Sequence, residues 1–423
     1  MSEPIITTRR EFLRGLTLAG VSATVPAFVS DLAWAVGNPL DAPLVTSKPG
    51  VPDDRILVVV QLAGGNDGLN TVIPYRNDNY YSNRPQIAIR AQDVLKLRGD
   101  VGLHPQATGL KELYDEGLMS IVQGVGYPNP NRSHFVSTDI WHSASPDGKL
   151  RDGWIGRYFD SCCNGSDPAP VAESAIALSQ EAPLALQGDN FDGVAFTDVR
   201  SLQWNGARDM GSAFEKLNTP AAEGEAPVDE KTAYLTRIAM DARTSASKIR
   251  KAMNRKVGGD YPRTTFGRSL VSIAKMIAEE LPTKVYYASL GGFDTHAGQL
   301  GRHGRLMGEF GRSMKAFLDD LKQQGNLDRV TVITFSEFGR RVSENASMGT
   351  DHGEAAPVFL FGGPIKAGIH GKHPSLNRLH RGDLAYKVDF RQIYATLLDE
   401  WMKADAGKIL GKRFPRLDLF QKA

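Results

Sequence analysis

Unbroken apolar runs, amphipathic repeats and short polar turns divide the chain. "RILVVVQL" (55–62) is continuous and β-branched, as a strand buried on both faces would be. The runs "SIVQGVGY" (120–127), "KVYYA" (284–288), "RVTVITF" (329–335) and "APVFLFGG" (356–363) repeat that pattern. Helical periodicity predicts helices over 107–119, from near Ser133, and over 229–255, 264–281, about 301–324 and 389–402. In the long one, Met307, Phe310, Met314, Phe317 and Leu321 recur at spacings of three and four, giving one apolar stripe that faces a core. Within 172–196, "SAIALS" and "LALQG" read as strands of a subsidiary sheet, and the polar stretch 205–228 as a surface insertion. Strands alternate with helices and no repeat is visible. The expected fold class is α/β: a mostly parallel central sheet with helices on both faces and a small subsidiary sheet.

The first 35 residues stand apart from this pattern. "TTRREFLRGLTLAGVSATVPAFVSDLAWA" places Arg9-Arg10 before a mildly apolar run and ends on Ala33-Trp34-Ala35. That order is a twin-arginine (Tat) export signal with a cleavage site, and the run is short for a membrane span. The expected organisation is a signal peptide over 1–35, a linker over 36–54, one α/β domain over 55–402 and a tail over 403–423. The expected location is periplasmic or extracellular, with the Tat export machinery as a partner and no transmembrane segment in the mature chain. The Tat pathway carries folded proteins, often with a cofactor inserted.

Composition narrows the chemistry. The 423 residues are 41% hydrophobic, enough for a sizeable core. Fifty basic and 48 acidic residues leave a formal charge of +2, which gives no footprint for nucleic acid. The two cysteines, Cys162 and Cys163, are adjacent and form no disulfide framework.

In an open parallel sheet, ligands bind where strands end. Strand 55–62 runs into Asn66-Asp67, and strand 120–127 into Arg132-Ser133-His134. Strand 284–288 runs into Asp294-Thr295-His296, and strand 329–335 into Ser336-Glu337; Asp351-His352 precedes strand 356–361. Five sets of carboxylate, hydroxyl or imidazole at equivalent places point to metal or phosphate chemistry. Ligands without thiolates suit Zn, Mn, Mg or Ca. Ser133 opens a helix, where it is either a plain N-cap or a nucleophile activated by a nearby ion. Arg132 can hold a phosphoryl oxygen. His142 reads as structural, and the role of His134 stays open.

"VVVQLAGGNDGLNTVIPY", "NRSHFVSTDIWHSA", "GGFDTHAGQ" and "TFSEFGRRVSENASMGTDHG" resemble the Tat-exported DUF1501 family, a domain of unknown function, across about residues 55–402. That family is similar in fold to the alkaline phosphatase/sulfatase superfamily. The resemblance implies a Ser133 nucleophile and one metal site of Asp294, His296 and His352. It implies a second site of Asp67 (or Asn66), Glu337 and Ser133 itself. The sequence departs from the superfamily pattern in three places. Asp294 and His296 are two apart rather than four, with His303 too distant to substitute. Glu337-Phe338 stands where an Asp-His pair is usual. The formylglycine sulfatase signature is absent. Two functions are carried forward. One is an exported metal-dependent hydrolase of phosphate-type esters, acting on a small-molecule or envelope ester. The other is a non-catalytic envelope binding or scaffold protein on the same fold.

Overall fold

The computed structural model describes residues 54–162, 172–202 and 245–421. The twin-arginine segment, nearly all of the linker, Cys163, the 205–228 insertion and the first part of helix 229–255 lie outside them.

The central sheet has nine strands among the described residues. In chain order they are β1 (Ile56–Ala63), β2 (Met119–Gly126), β3 (Ala175–Ala177), β4 (Val194–Ala195), β5 (Val285–Gly291), β6 (Val330–Phe335), β7 (Ala356–Phe361), β8 (Gly368–His370) and β9 (Val388–Asp389). Their spatial order is β8-β2-β7-β6-β1-β5-β3-β4, and β9 also pairs with β2. Only β7 runs against the rest.

The unbroken apolar run of β1 has a direct cause. Ile56, Val58, Val60 and Leu62 join one buried cluster, with α2 (Thr108–Asp115), α5 (Thr265–Ala278) and α6 (Gln299–Gln323). Leu57 and Val59 join the opposite cluster, with α3 (His134–Ser143), α4 (Trp154–Cys162) and α7 (Phe390–Thr396). The short α1 (Gly68–Thr71) follows β1. Both faces being covered, no position of the strand is polar by requirement. The α6 stripe of Met307, Phe310, Met314, Phe317 and Leu321 is fully buried.

The register brings the strand ends level. Ala63 of β1 lies beside Gly291 of β5, and Gln61 beside Phe335 of β6. The antiparallel β7 enters at this same edge, with Ala356 opposite Val125 of β2. Loops leaving β1, β2, β5 and β6, and the loop entering β7, therefore share one rim.

Some local expectations differ. "SAIALS" forms β3, but as part of the central sheet, and "LALQG" forms a single 3-10 turn (Leu184–Leu186) rather than a strand. A short run of mostly apolar and small residues can fill a tight turn as well as a strand, and only pairing decides between them. The subsidiary sheets lie elsewhere: Val72–Ile73, Gly102–Leu103 and Leu95–Lys96 make one, and Leu379–His380 with Asp383–Leu384 another. The helix that follows residue 389 widens into a π turn over Leu397–Trp401. Beyond residue 402 the chain stays packed: Leu410 and Leu419 are buried, and Phe420 stacks on Trp401.

Candidate functional site

The glycines before the functional loops are set by close backbone approach. Gly64 has φ of 116°, and a Cβ there would sit 2.3 Å from the Asp294 amide nitrogen. Only glycine lets the β1 and β5 loops touch. The Gly64 N–H donates to Glu337 Oε1 at 2.8 Å, tying in the β6 loop as well.

Three imidazoles converge on Asp294. His296 Nε2 and His352 Nε2 lie 3.0 and 3.2 Å from Asp294 Oδ1, and 2.9 Å from each other. His134 Nε2 lies 3.5 Å from Asp294 Oδ2. One ligand atom each from His134, Asp294 and His352 falls within 4.8 Å of the others. Asp294 and His296 are nearly half exposed, so the cluster opens to solvent on one side.

The other nitrogen of each ring decides what these contacts mean. His352 Nδ1 donates to the Arg132 carbonyl at 2.8 Å. His296 Nδ1 faces Asp351 Oδ1 at 3.0 Å, and His134 Nδ1 faces Glu337 Oε1 at 2.7 Å. A carbonyl or carboxylate only accepts, so each Nδ1 has a partner for a proton; Asp294 offers Nε2 the same, and a cation bound at Asp294 would leave the proton on Nδ1 and the Nε2 lone pair free to ligate. Burial lowers the His352 pKa, against the Arg132 carbonyl and Asp294, which favours the neutral ring. Burial alone would raise Asp294; the Arg340 guanidinium, 2.6 Å from Oδ1, and His352 outweigh it and hold the carboxyl at about 2. The Nε2 atoms of three imidazoles thus face one ionised carboxylate. The spacings of 2.9, 3.0 and 3.2 Å match ligands around one ion, which at ~2.0–2.1 Å bonds sit roughly 3.0–3.4 Å apart. The donor set suits a divalent cation.

The remaining sequence-derived residues are placed as follows. Ser133 is the exposed N-cap of α3, but its side chain makes no capping bond; Asn131 Oδ1 accepts from its N–H at 2.8 Å instead. It is held between Arg132, whose carbonyl meets His352, and His134. Glu337 is buried behind His134, with Oε2 lacking a hydrogen-bond partner. Asp67 contacts none of the cluster. Its carboxylate is buried, pairs with Arg84 at 2.6 Å, accepts from Gln299, and caps α1 through the Leu69 and Asn70 amides. Burial would raise its pKa, and Arg84 chiefly overrides that. Asn66 is buried beside Thr71 and His303. The Arg132 guanidinium lies against Asp383 and 3.9 Å from Glu354, so it is committed to carboxylates. His142 is buried and bonded to Tyr287 at 3.0 Å.

His134 is the member the sequence reading left without a role. Its signal was its place, one residue past the N-cap at a strand end, but only the fold shows its ring turned toward Asp294. It supplies an imidazole where Glu337-Phe338 offers none. Phe338 packs on His352 and His134, with ring centroids 4.4 and 4.9 Å away.

A family model described as a protein of unknown function (DUF1501) matches residues 120–409. The chain belongs to the DUF1501 family. The matched span contains Ser133, His134, Asp294, His296, Glu337 and His352. A comparison with curated protein sequences gives no match. Among solved structures, similarity is found to the lipoteichoic acid synthase LtaP from Listeria monocytogenes, at 9% identity and TM-score 0.32, covering 81% of this chain and 71% of that one. The zinc complex of the C-terminal periplasmic domain of EcEptC from Escherichia coli is similar at 10% identity and TM-score 0.31, covering 73% and 72%. A protein in the alkaline phosphatase superfamily from Vibrio parahaemolyticus is similar at 10% identity and TM-score 0.32, covering 88% and 73%.

Proposed function

We propose that this DUF1501 protein is an exported, metal-dependent hydrolase of phosphate-type esters, with Ser133 as nucleophile. The observation that carries the reading is the convergence of the His134, His296 and His352 Nε2 atoms on Asp294, at the sheet edge where Ser133 stands exposed and makes no capping bond. Asp294, His296 and His352, with His134, would hold the ion. A bound divalent ion there supplies Lewis acidity and lowers the pKa of a hydroxyl beside it. The chain's own residues do the rest. Glu337, Asp351 and the Arg132 carbonyl fix the three tautomers, and Arg340 keeps Asp294 ionised and oriented. The Ser133 oxygen attacks phosphorus, the ester's alcohol departs, and water releases the phosphate. Asp67, spent on Arg84, favours one ion over two. Zn, Mn, Mg and Ca all remain in the proposal, as does a small-molecule or envelope ester substrate.

Elemental analysis and turnover of an aryl phosphate test this. One equivalent of metal is expected, lost in His352→Ala. Ser133→Ala is expected to keep the metal and lose on the order of a thousandfold in turnover. Metal-free wild type after growth with all four ions supplied sinks the reading. Wild-type turnover in Ser133→Ala removes the serine from it.

Export through the Tat machinery is part of the same proposal, supported by Arg9-Arg10 and the Ala33-x-Ala35 site. Among the described residues no helix is long and apolar enough to cross a membrane. Arg9→Lys with Arg10→Lys is expected to leave the precursor inside the cell; unchanged export and trimming would count against the signal.

A further inference from the structure

Gln299, the first residue of α6, ends the stretch "GGFDTHAGQ" and is fully buried. Its side chain joins three stretches of chain. Oε1 accepts from the Thr295 hydroxyl at 3.0 Å and from the Thr350 hydroxyl at 2.6 Å, and Nε2 donates to Asp67 Oδ2. A carboxylate only accepts, so Asp67 fixes which end of the amide faces the two threonines. Thr295 stands between Asp294 and His296, and Thr350 directly precedes Asp351 and His352. Both threonines are fully buried, whereas the Asp294, His296 and Asp351 side chains are 45%, 44% and 57% exposed. Packing therefore does little to hold these exposed groups, and the buried threonines beside them in the chain are the fixed points. Around Gln299 the two loops also meet through their backbones. The Thr350 N–H donates to the Thr295 carbonyl at 3.2 Å, and the Gln299 N–H to the Met348 carbonyl at 2.9 Å. A Cβ on Gly349 would sit 2.3 Å from the His296 carbonyl oxygen.

We infer that Gln299 is a positioning residue for the metal site: its amide clips the loop carrying Asp294 and His296 to the loop carrying Asp351 and His352, and Asp67 holds the clip in register. This rests on the metal-site reading of the Asp294 cluster and deepens it, naming what sets the ligands without touching the ion. Ligands from separate loops meet one ion only where the loops are held to within ~0.5 Å. Both lone pairs of Oε1 are used, and each goes to a residue adjoining a ligand or its orienting carboxylate. Asp67 thereby acts on the site through Gln299, from a place where it contacts none of the cluster. Asp67→Asn still offers Nε2 an oxygen, so that variant leaves the clip in place.

The test loads chelator-treated protein with Co(II), which imidazoles bind more tightly than Mn and whose visible absorption reports ligand geometry. Gln299→Met nearly matches the side chain in size and removes both polar ends. Its Co(II) affinity in a chelator competition is expected to fall about 10–100-fold, with a changed absorption spectrum. Thr295→Val and Thr350→Val each cut one arm and are expected to fall less. Thr350→Ser keeps the hydroxyl and is expected to bind as wild type does. A merely structural role would lower the thermal midpoint of the metal-free protein and leave the affinity and spectrum of the folded fraction unchanged. If wild type binds Co(II) and the folded variants bind it with the same affinity and spectrum, the positioning inference is overturned and the hydrolase reading survives. If Gln299→Met does not fold, the two valine variants decide by the same measure. A Thr350→Ser variant as weak as Thr350→Val would assign the effect to packing and overturn the inference as well. If wild type binds no Co(II), the metal-site reading falls and the hydrolase reading with it.

Discussion

At the scale of the residue, the same chemical type takes opposite roles according to its partner. Asp294 and Asp67 both follow a strand and a glycine pair. Asp294 faces three imidazoles at the surface, whereas Asp67 is sealed against Arg84. Asp67→Asn leaves a buried guanidinium uncompensated. It is expected to cost about 3–5 kcal/mol in urea unfolding while the folded fraction keeps its metal. Loss of metal without loss of stability would instead make Asp67 a ligand. Asp351 acts one step further out, through His296 Nδ1. Asp351→Asn can turn an N–H toward that nitrogen and move the ring proton to Nε2. Metal affinity in a chelator competition is expected to fall about 10–100-fold, with the thermal midpoint little changed. Unaltered affinity would mean that Asp351 does not orient the ring.

At the scale of the element, two glycines allow two close approaches with different consequences. Gly64 joins the β1 loop to the β5 loop, and its φ of 116° is a conformation that L side chains rarely adopt. Gly64→Ala is expected to push Asp294 away, losing metal together with stability. Gly109 joins α2 to α6, where a Cβ would sit 2.3 Å from the Gly311 carbonyl oxygen. Gly109→Ala is expected to cost about 1–3 kcal/mol by overpacking and to spare the metal. Parallel measurement of unfolding free energy and metal content separates them. Equal metal loss in both would show that the rim follows global stability rather than the Gly64 contact. Both positions were legible only as glycines in a polar or helical stretch, because what they approach comes from far along the chain.

At the scale of the whole molecule, three imidazoles are buried away from the Asp294 cluster. Burial holds His104 and His142 at about 4 and His303 at about 3, below the ordinary 6.5. The unfolded chain therefore binds protons before the folded one does. Stability from these groups is full above pH 6.5 and is lost as pH falls toward 4 and then 3, by up to ~1.4 kcal/mol per pH unit per histidine. Urea unfolding of the chelator-treated protein is expected to show this decline between pH 7 and 5. His142→Phe, which charges in neither state, is expected to show a shallower one; identical slopes would remove His142 from the account. The sequence by itself determined the main strands, the amphipathic helices, the α/β class and the rim on which the chemistry gathers. These follow from local periodicity and from the rule that parallel strands end together. It also marked Asp294, His296 and His352 among the polar residues at strand ends, while their grouping into one site came from the family resemblance. Only the tertiary structure decided that His134 joins them, that Glu337 stands behind His134, and that Arg132 and Asp67 are taken by Asp383 and Arg84. Those choices depend on which side chains meet across 17 to 251 residues of sequence, and on which nitrogen of each ring is turned toward Asp294. Hydrophobic spacing along the chain carries neither kind of information.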